Sequence, residues 1–147
     1  MSNNLLKTTR QAAENLLARR EHSRLELRKK LQLRSLDSAS IDAVLKQLET
    51  ENLLSDERFC ECYVRMRMNR GYGPLRIQAE LVERGVNESL IAEYLDNDKV
   101  FWHQQVQQVR LKKFGEEIPR DNKEKARQIR FLQHRGFTFE QINQCLK

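Results

Sequence analysis

The chain has 147 residues, a third of them charged, with a net charge of +6, a pI near 9.4 and a mean hydropathy of −0.77. That length predicts one domain with a modest core, and six phenylalanines, three tyrosines, a tryptophan and many leucines exclude general disorder. No apolar run approaches the ~20 residues of a membrane span, and MSNNLLKTTRQAAENLLARR lacks a secretion signal's apolar centre, so the expected location is the cytoplasm, away from any membrane.

In chain order, Thr8-x-x-Gln11 and Ser23-x-x-Glu26 have the form of capping boxes and predict two helix starts. Around them Arg19, Arg20, Arg24, Arg28, Lys29, Lys30 and Arg34 crowd sixteen positions. Residues 37–51 turn acidic, with Asp37, Asp42, Glu49 and Glu51 against Lys46 alone. Ser55 then predicts the cap of a helix over about 56–70. Asp56 and Glu57 suit its first turn, and Phe59, Cys62, Tyr63 and Met66 form one apolar face.

The stretch NRGYGPLRI, residues 69–77, holds two of five glycines and one of two prolines. It lacks the third glycine and preceding strand of a dinucleotide fingerprint, and the Gly-Lys-Ser/Thr of a Walker loop. Gly71, Gly73 and Pro74 therefore read as a structural corner, with Pro74 opening a helix. In that helix Leu75, Ile77, Ala79, Leu81 and Val82 supply an apolar arc opposite Arg76, Glu80, Glu83 and Arg84, and Gly85 ends it. Tyr72 lies outside either apolar stripe. It either projects outward or covers the end of the preceding helix over Met66 or Met68, with Arg76 paired to Glu80 one turn on. Asn87 caps the next helix, through about Asp96. A helix over about 98–114 follows, striped by Trp102, Val106 and Val109, then the polar loop GEEIPRD and two further capping signals, Asp121-x-x-Glu124 and Thr138-x-x-Gln141.

A repeat organises these elements. At an offset of 50, Leu25, Leu27, Leu31, Arg34, Leu36, Ile41 and Leu45 fall on Leu75, Ile77, Leu81, Arg84, Val86, Ile91 and Leu95. A further 51 residues carries Leu81, Arg84, Gly85, Val86, Ile91 and Leu95 onto Leu132, Arg135, Gly136, Phe137, Ile142 and Leu146. With no strand alternation anywhere, the expected fold is all-α. Three tandem three-helix repeats, over 1–54, 55–97 and 98–147, give nine helices stacked into an elongated, curved array that forms one continuous domain. A repeat of this size holds no secure core alone, so neighbours must lean on one another.

Cys60, Cys62 and Cys145 suit neither a disulfide framework nor a zinc site, and are expected as reduced, mostly buried thiols; His22, His103 and His134 are scattered and expected at the surface. No catalytic constellation is legible, so an enzyme is not expected, nor any cofactor or metal. Charge is unevenly placed: +3 over 1–54, −2 over 55–97 and +5 over 98–147. The second cluster comprises Lys112, Lys113, Arg120, Lys123, Lys125, Arg127 and Arg130. Such clusters attract phosphate backbones or an acidic protein surface. The Leu81, Gly85, Ile91 spacing also suits a helix-turn-helix. The third helix of each repeat would then read the major groove, yet 87–98 contains Glu88, Glu93, Asp96 and Asp98 with no cation. DNA binding is therefore expected to be weak and sequence-independent.

LLSDERFCECYVRMRMNRGYGPLRIQAELVERGV, residues 53–86, closely resembles the central motif of the RecX regulatory proteins. The elements that carry the resemblance are Asp56 to Phe59, Tyr63 to Arg67, Gly71 to Ile77 and Glu80 to Val86; LLARREHSRLELRKKL resembles that family's first unit. Cys60 replaces a small residue and Ser55 an asparagine; the third repeat matches loosely. The resemblance implies a monomeric regulator that binds the RecA-type recombinase filament on single-stranded DNA and suppresses its ATPase, strand exchange and growth. A stand-alone DNA-binding protein acting on the DNA backbone is the alternative. Candidate contacts to partner or nucleic acid are Arg20, Arg24, Arg28, Lys29, Lys30, Arg65, Arg70, Tyr72, Arg76, Lys112, Lys113, Lys123, Arg127 and Arg130.

Overall fold

The computed structural model describes residues 3–96 and 99–147. Among them are nine helices and no strand: α1 (Asn3–Arg19), α2 (Arg24–Leu33), α3 (Ser38–Thr50), α4 (Asp56–Asn69), α5 (Pro74–Glu83), α6 (Glu88–Leu95), α7 (Lys99–Phe114), α8 (Asn122–Arg135) and α9 (Phe139–Cys145). Asp98, and the boundary expected at 97/98, lie outside the described residues. Full capping boxes close on α2 (Ser23, Glu26) and α9 (Thr138, Gln141), and Asp121 accepts from the Glu124 amide at α8. The Ser55 hydroxyl accepts from Arg58, and Asn87 Oδ1 accepts from Ser89.

The box expected at Thr8 does not form, because α1 already begins at Asn3. Its core-facing stripe starts at Leu6 and continues through Thr9, Ala13 and Leu16, which leaves Thr8 in mid-helix. The apolar arc of α5 is narrower than expected. Ile77 and Leu81, one turn apart, are fully buried, whereas Leu75 and Val82 are about half exposed. In α7 the buried stripe is Trp102, Val106 and Arg110, with Val109 only half-buried. His22 is also buried rather than at the surface: its Nδ1 lies 3.1 Å from the Arg20 carbonyl and its Nε2 2.9 Å from Lys30 Nζ. Burial lowers the His22 pKa, and the neutral ring takes the Lys30 proton donor on one nitrogen while donating to Arg20 from the other.

Two compact units gather these helices, Met1–Cys62 with Val82–Leu90, and Tyr63–Leu81 with Ile91–Lys147. In the first unit, α1, α2 and α3 enclose Ala13, Leu16, Leu27, Leu31, Ile41, Val44, Leu45, Leu48 and Leu54. The start of α2 meets the end of α5 there. Ser23 Oγ accepts the Glu26 amide within its capping box and donates 2.8 Å to the Arg84 carbonyl. Gly85, at φ +79°, has no side chain because a Cβ would lie 2.9 Å from Leu25. Asp56 accepts the Arg24 amide, a further free donor of the same helix start.

The second unit uses the same device with different atoms. The start of α5 meets the end of α8: the Gly73 amide donates to the Arg135 carbonyl at 2.7 Å, and the Leu75 amide to the Gly136 carbonyl at 2.9 Å. In the repeat register Ser23 corresponds to Gly73 and Arg84 to Arg135. Orphan donors of one helix thus satisfy orphan carbonyls of the next, with opposite dipole ends together. A Cβ on Gly73 would sit 2.5 Å from the Gly136 backbone, and one on Gly136, at φ +98°, would meet the Arg76 backbone nitrogen at 2.7 Å. The equivalent position in the first repeat is Ser35, also left-handed at φ +58° but exposed, so a side chain is accommodated there.

These close approaches predict that Gly73→Ala destabilises by about 2–3 kcal/mol, as overpacking against backbone does. Thermal unfolding should register that as a clear drop in Tm, while Ser35→Gly changes Tm by no more than a degree or two. Equal effects of the two substitutions would contradict the junction.

Candidate functional site

The corner between α4 and α5 is built on a ring and its cations. Gly71 turns the chain at φ +85° and lets it lie against Val109, where a Cβ would come within 3.2 Å. Tyr72, half-buried, then takes three guanidiniums around its ring: Arg67 at 3.8 Å from the centroid, Arg76 at 4.4 Å and Arg135 at 4.9 Å. The Tyr72 amide donates to the Arg67 carbonyl at 3.1 Å, so the residue sits at the end of α4 as the second expectation has it, with arginine guanidiniums around its ring. Glu80 balances part of the charge. It accepts two bonds of 2.8 Å from Arg67, one of 2.9 Å from the Tyr63 hydroxyl and one of 3.2 Å from Arg76, the last being the expected pair. Burial alone would raise the Glu80 pKa, but the bonds from Arg67, Tyr63 and Arg76 outweigh it and hold the carboxyl below its ordinary value. Arg76 and Arg135 also donate to the His134 and Arg70 carbonyls.

The remaining candidates divide by whether a carboxylate already holds them. Arg20 pairs with Glu26 of α2 at 3.1 Å, and Arg24 and Arg28 pair with Glu49 at 2.9 Å and Asp42 at 2.5 Å of the acidic helix α3, so three cations of the first cluster are held by carboxylates. Lys29 is exposed, and Lys30 is turned toward His22. Arg127 pairs with Glu124 at 2.8 Å and lies 5.0 Å over Phe114; Arg127 and Gln128 together hold Glu124 down to about 2. Arg65, Lys123 and Arg130 lie at the surface.

Three candidates meet in one groove. A cavity of about 440 Å³ is lined by Arg70, Lys112, Lys113 and Arg135 with Phe131 and neutral side chains. No carboxylate lines it, and none of its four cations is in an ion pair among the described residues. Arg135 lies between two rings, 4.9 Å from Tyr72 and 5.2 Å from Phe131, and Lys113 is 5.4 Å over Phe131. Phe114 meets Phe131 edge-on at 5.3 Å. A second cavity, about 670 Å³, is lined largely by neutral residues of α5, α6, α7 and α9, among them Ile91, Leu95 and Trp102.

Arg67, Arg110, Phe131 and Arg135 were not among the expected contacts. Arg135 carried a signal, its register with Arg34 and Arg84. Arg110 is buried, 6% exposed, and donates to the Glu116 and Glu117 carbonyls and to Gln128, tying the 115–121 loop to α7 and α8. Among the described residues no group of His, Cys, Asp and Glu side chains could hold a metal, and no helix is long and apolar enough to cross a membrane. Cys60 and Cys145 are buried and Cys62 is exposed, all as free thiols.

The Glu80 geometry has a pH consequence. A carboxyl held below its ordinary value of 4.5 contributes stability that is present above that pH and lost as pH falls through its folded value. Glu80→Gln should therefore cost about 2 kcal/mol at neutral pH, leaving Arg67 and Tyr63 poorly satisfied. In Tm measured from pH 7 to 3, the difference between the two proteins should shrink below about pH 4.5. A difference that stays constant across that range would contradict the assignment.

Comparison with known proteins gives these features a family. Models for the first, second and third RecX three-helix domains match residues 10–48, 55–95 and 103–146. The chain is 47% identical over 133 residues to "Regulatory protein RecX" of Halorhodospira halophila, covering 90% of this chain and 83% of that one. With the protein of the same name from Pseudomonas entomophila it shares 42% over 137 residues, covering 93% and 88%. The crystal structure of RecX from Lactobacillus salivarius superposes with a TM-score of 0.82 over 98% of this chain and 96% of that one, at 19% identity, a likeness of fold. With all three domain models matched in order and relatives more than 40% identical over most of its length, this chain belongs to the RecX family of regulatory proteins.

Proposed function

We propose that this chain regulates a RecA-type recombinase. In this reading it binds as a monomer in the cytoplasm to the recombinase filament on single-stranded DNA. It suppresses the filament's ATPase, strand exchange and growth, and so modulates recombinational DNA repair without catalysing a reaction of its own. The match of three successive RecX domains along the chain carries the reading. Three successive repeats, over 1–54, 55–97 and 98–147, suit a filament, which repeats its own surface at regular intervals.

Charge geometry argues against the chain acting alone as a helix-turn-helix reader. The helix that would enter the major groove is acidic in two repeats, with Asp42 and Glu49 in α3 and Glu88 and Glu93 in α6. Affinity for naked DNA should instead be weak, indifferent to sequence and steeply reduced by salt. Added to recombinase assembled on single-stranded DNA, the protein should lower the rate of ATP hydrolysis in a concentration-dependent way. Unaltered hydrolysis at saturating protein, or tight binding to one short palindrome at physiological salt, would overturn the proposal.

A further inference from the structure

The geometry points to the groove lined by Arg70, Lys112, Lys113, Arg135 and Phe131 as a binding site for one strand of nucleic acid. Its phosphodiester would lie on the cations, with a base against the Phe131 and Arg135 surface. This deepens the regulatory reading by assigning a strand-contacting site to particular residues.

Three observations carry it. First, among the described residues these four cations are unpaired, while Arg10, Arg20, Arg24, Arg28, Arg58, Arg67, Arg76, Arg84 and Arg127 each have a carboxylate within 4 Å. Cations gathered at one concave place repel one another unless an anion joins them. Second, the lining combines charge with a half-buried aromatic ring and three amides, Asn69, Gln105 and Gln108. Exposed bases use rings and amides, by stacking and by edge hydrogen bonds, whereas a duplex keeps its base faces stacked inside. An acidic peptide would satisfy the cations but offer nothing flat to the ring. Third, the cavity of about 440 Å³ falls within the range of about 300–1,000 Å³ typical of sites for small ligands. That scale suits a nucleotide or two of an extended strand.

The neighbouring Tyr72 cluster holds Arg135 in place from the other side. Arg135 also donates to the Arg70 backbone carbonyl at 2.9 Å, which ties its guanidinium to the α4–α5 corner. Stacking on an aromatic ring is open to the bases of a single strand and closed to those of a duplex, which separates the two ligands.

The test is fluorescence anisotropy with a labelled oligothymidylate at low salt, using the full chain. Lys112→Glu with Lys113→Glu should weaken binding at least tenfold and flatten its salt dependence. Lys7→Glu with Lys46→Glu, an equal change of charge at exposed positions outside the groove, should weaken it less than threefold. Phe131→Leu should weaken binding severalfold with the salt dependence unchanged, the mark of lost stacking. Melting curves on each variant confirm that it is folded. Equal losses in the two charge-reversed pairs would overturn the site, as would competition by duplex or by polyglutamate as strong as that by the single strand. Inhibition of recombinase ATPase by the unaltered chain is scored separately, so the groove and the regulatory reading can fail independently.

Discussion

The junction between successive second helices is the contact on which the rest of the molecule depends. A short helix ends in donors and acceptors that it cannot satisfy by itself. Here α2 passes a bond from Ser23 to the Arg84 carbonyl at the end of α5, and the start of α5 gives the Gly73 and Leu75 amides to the carbonyls that end α8. At the second junction backbone must approach backbone, which is why Gly73 and Gly136 lack a Cβ, whereas at the first it is the Leu25 side chain that closes on Gly85. Helices of ten residues are marginal alone. Satisfying their ends makes them parts of a core, beside buried Leu27 and Leu31 in the first unit and beside buried Ile77, Leu81 and Leu132 in the second.

The two junctions carry different chemistry on one frame. Positions 22, 26 and 84 hold His22, Glu26 and Arg84; their register partners are Tyr72, Arg76 and Arg135. The first set closes as an ion pair, Glu26 to Arg84 at 3.7 Å, beside a buried neutral imidazole. In the second set the acid has become an arginine and the imidazole a phenol, so an aromatic face takes the place of the carboxylate, with cation–π attraction at the three guanidiniums. Glu80 meets only part of that charge. The second junction is therefore electropositive, and the groove with its unpaired Arg70, Lys112 and Lys113 begins at the same Arg135. The proposed strand site thus lies where the repeat departs from its own pattern, beside the second junction.

Much of this was legible in sequence because it rests on local or periodic signals. Apolar spacing finds part of each buried face, such as Ile77 and Leu81 in α5, but in α4 it selects Cys62 and Met66, which are exposed, where Cys60 and Val64 are buried beside Phe59. Ser23 and Thr138 announce their capping boxes, and the 50- and 51-residue offsets expose the repeat. Exposed Leu75 and Val82 escaped that logic, since periodicity cannot tell how wide an arc the neighbours cover. Charge pairing was illegible for a related reason. Arg24 and Arg28 look free in a basic run, yet Glu49 and Asp42, 25 and 14 residues away, meet them across α3. Arg110 is buried because the 115–121 loop needs a donor for its carbonyls, a demand that appears only once the loop has its path. The unpaired set in the groove could be found only by this subtraction.

Amide hydrogen exchange at Gly73 and Leu75 tests the junction most directly. Both lie at a helix start, where amides normally exchange as fast as those of loops. If these amides donate to the Arg135 and Gly136 carbonyls as a structural requirement, they should exchange only through large-scale opening, as slowly as the amides of Ile77 and Leu81 in the same helix. Exchange at the rate of the exposed 115–121 loop would show that the helix ends are not joined, and the account built on them would fall.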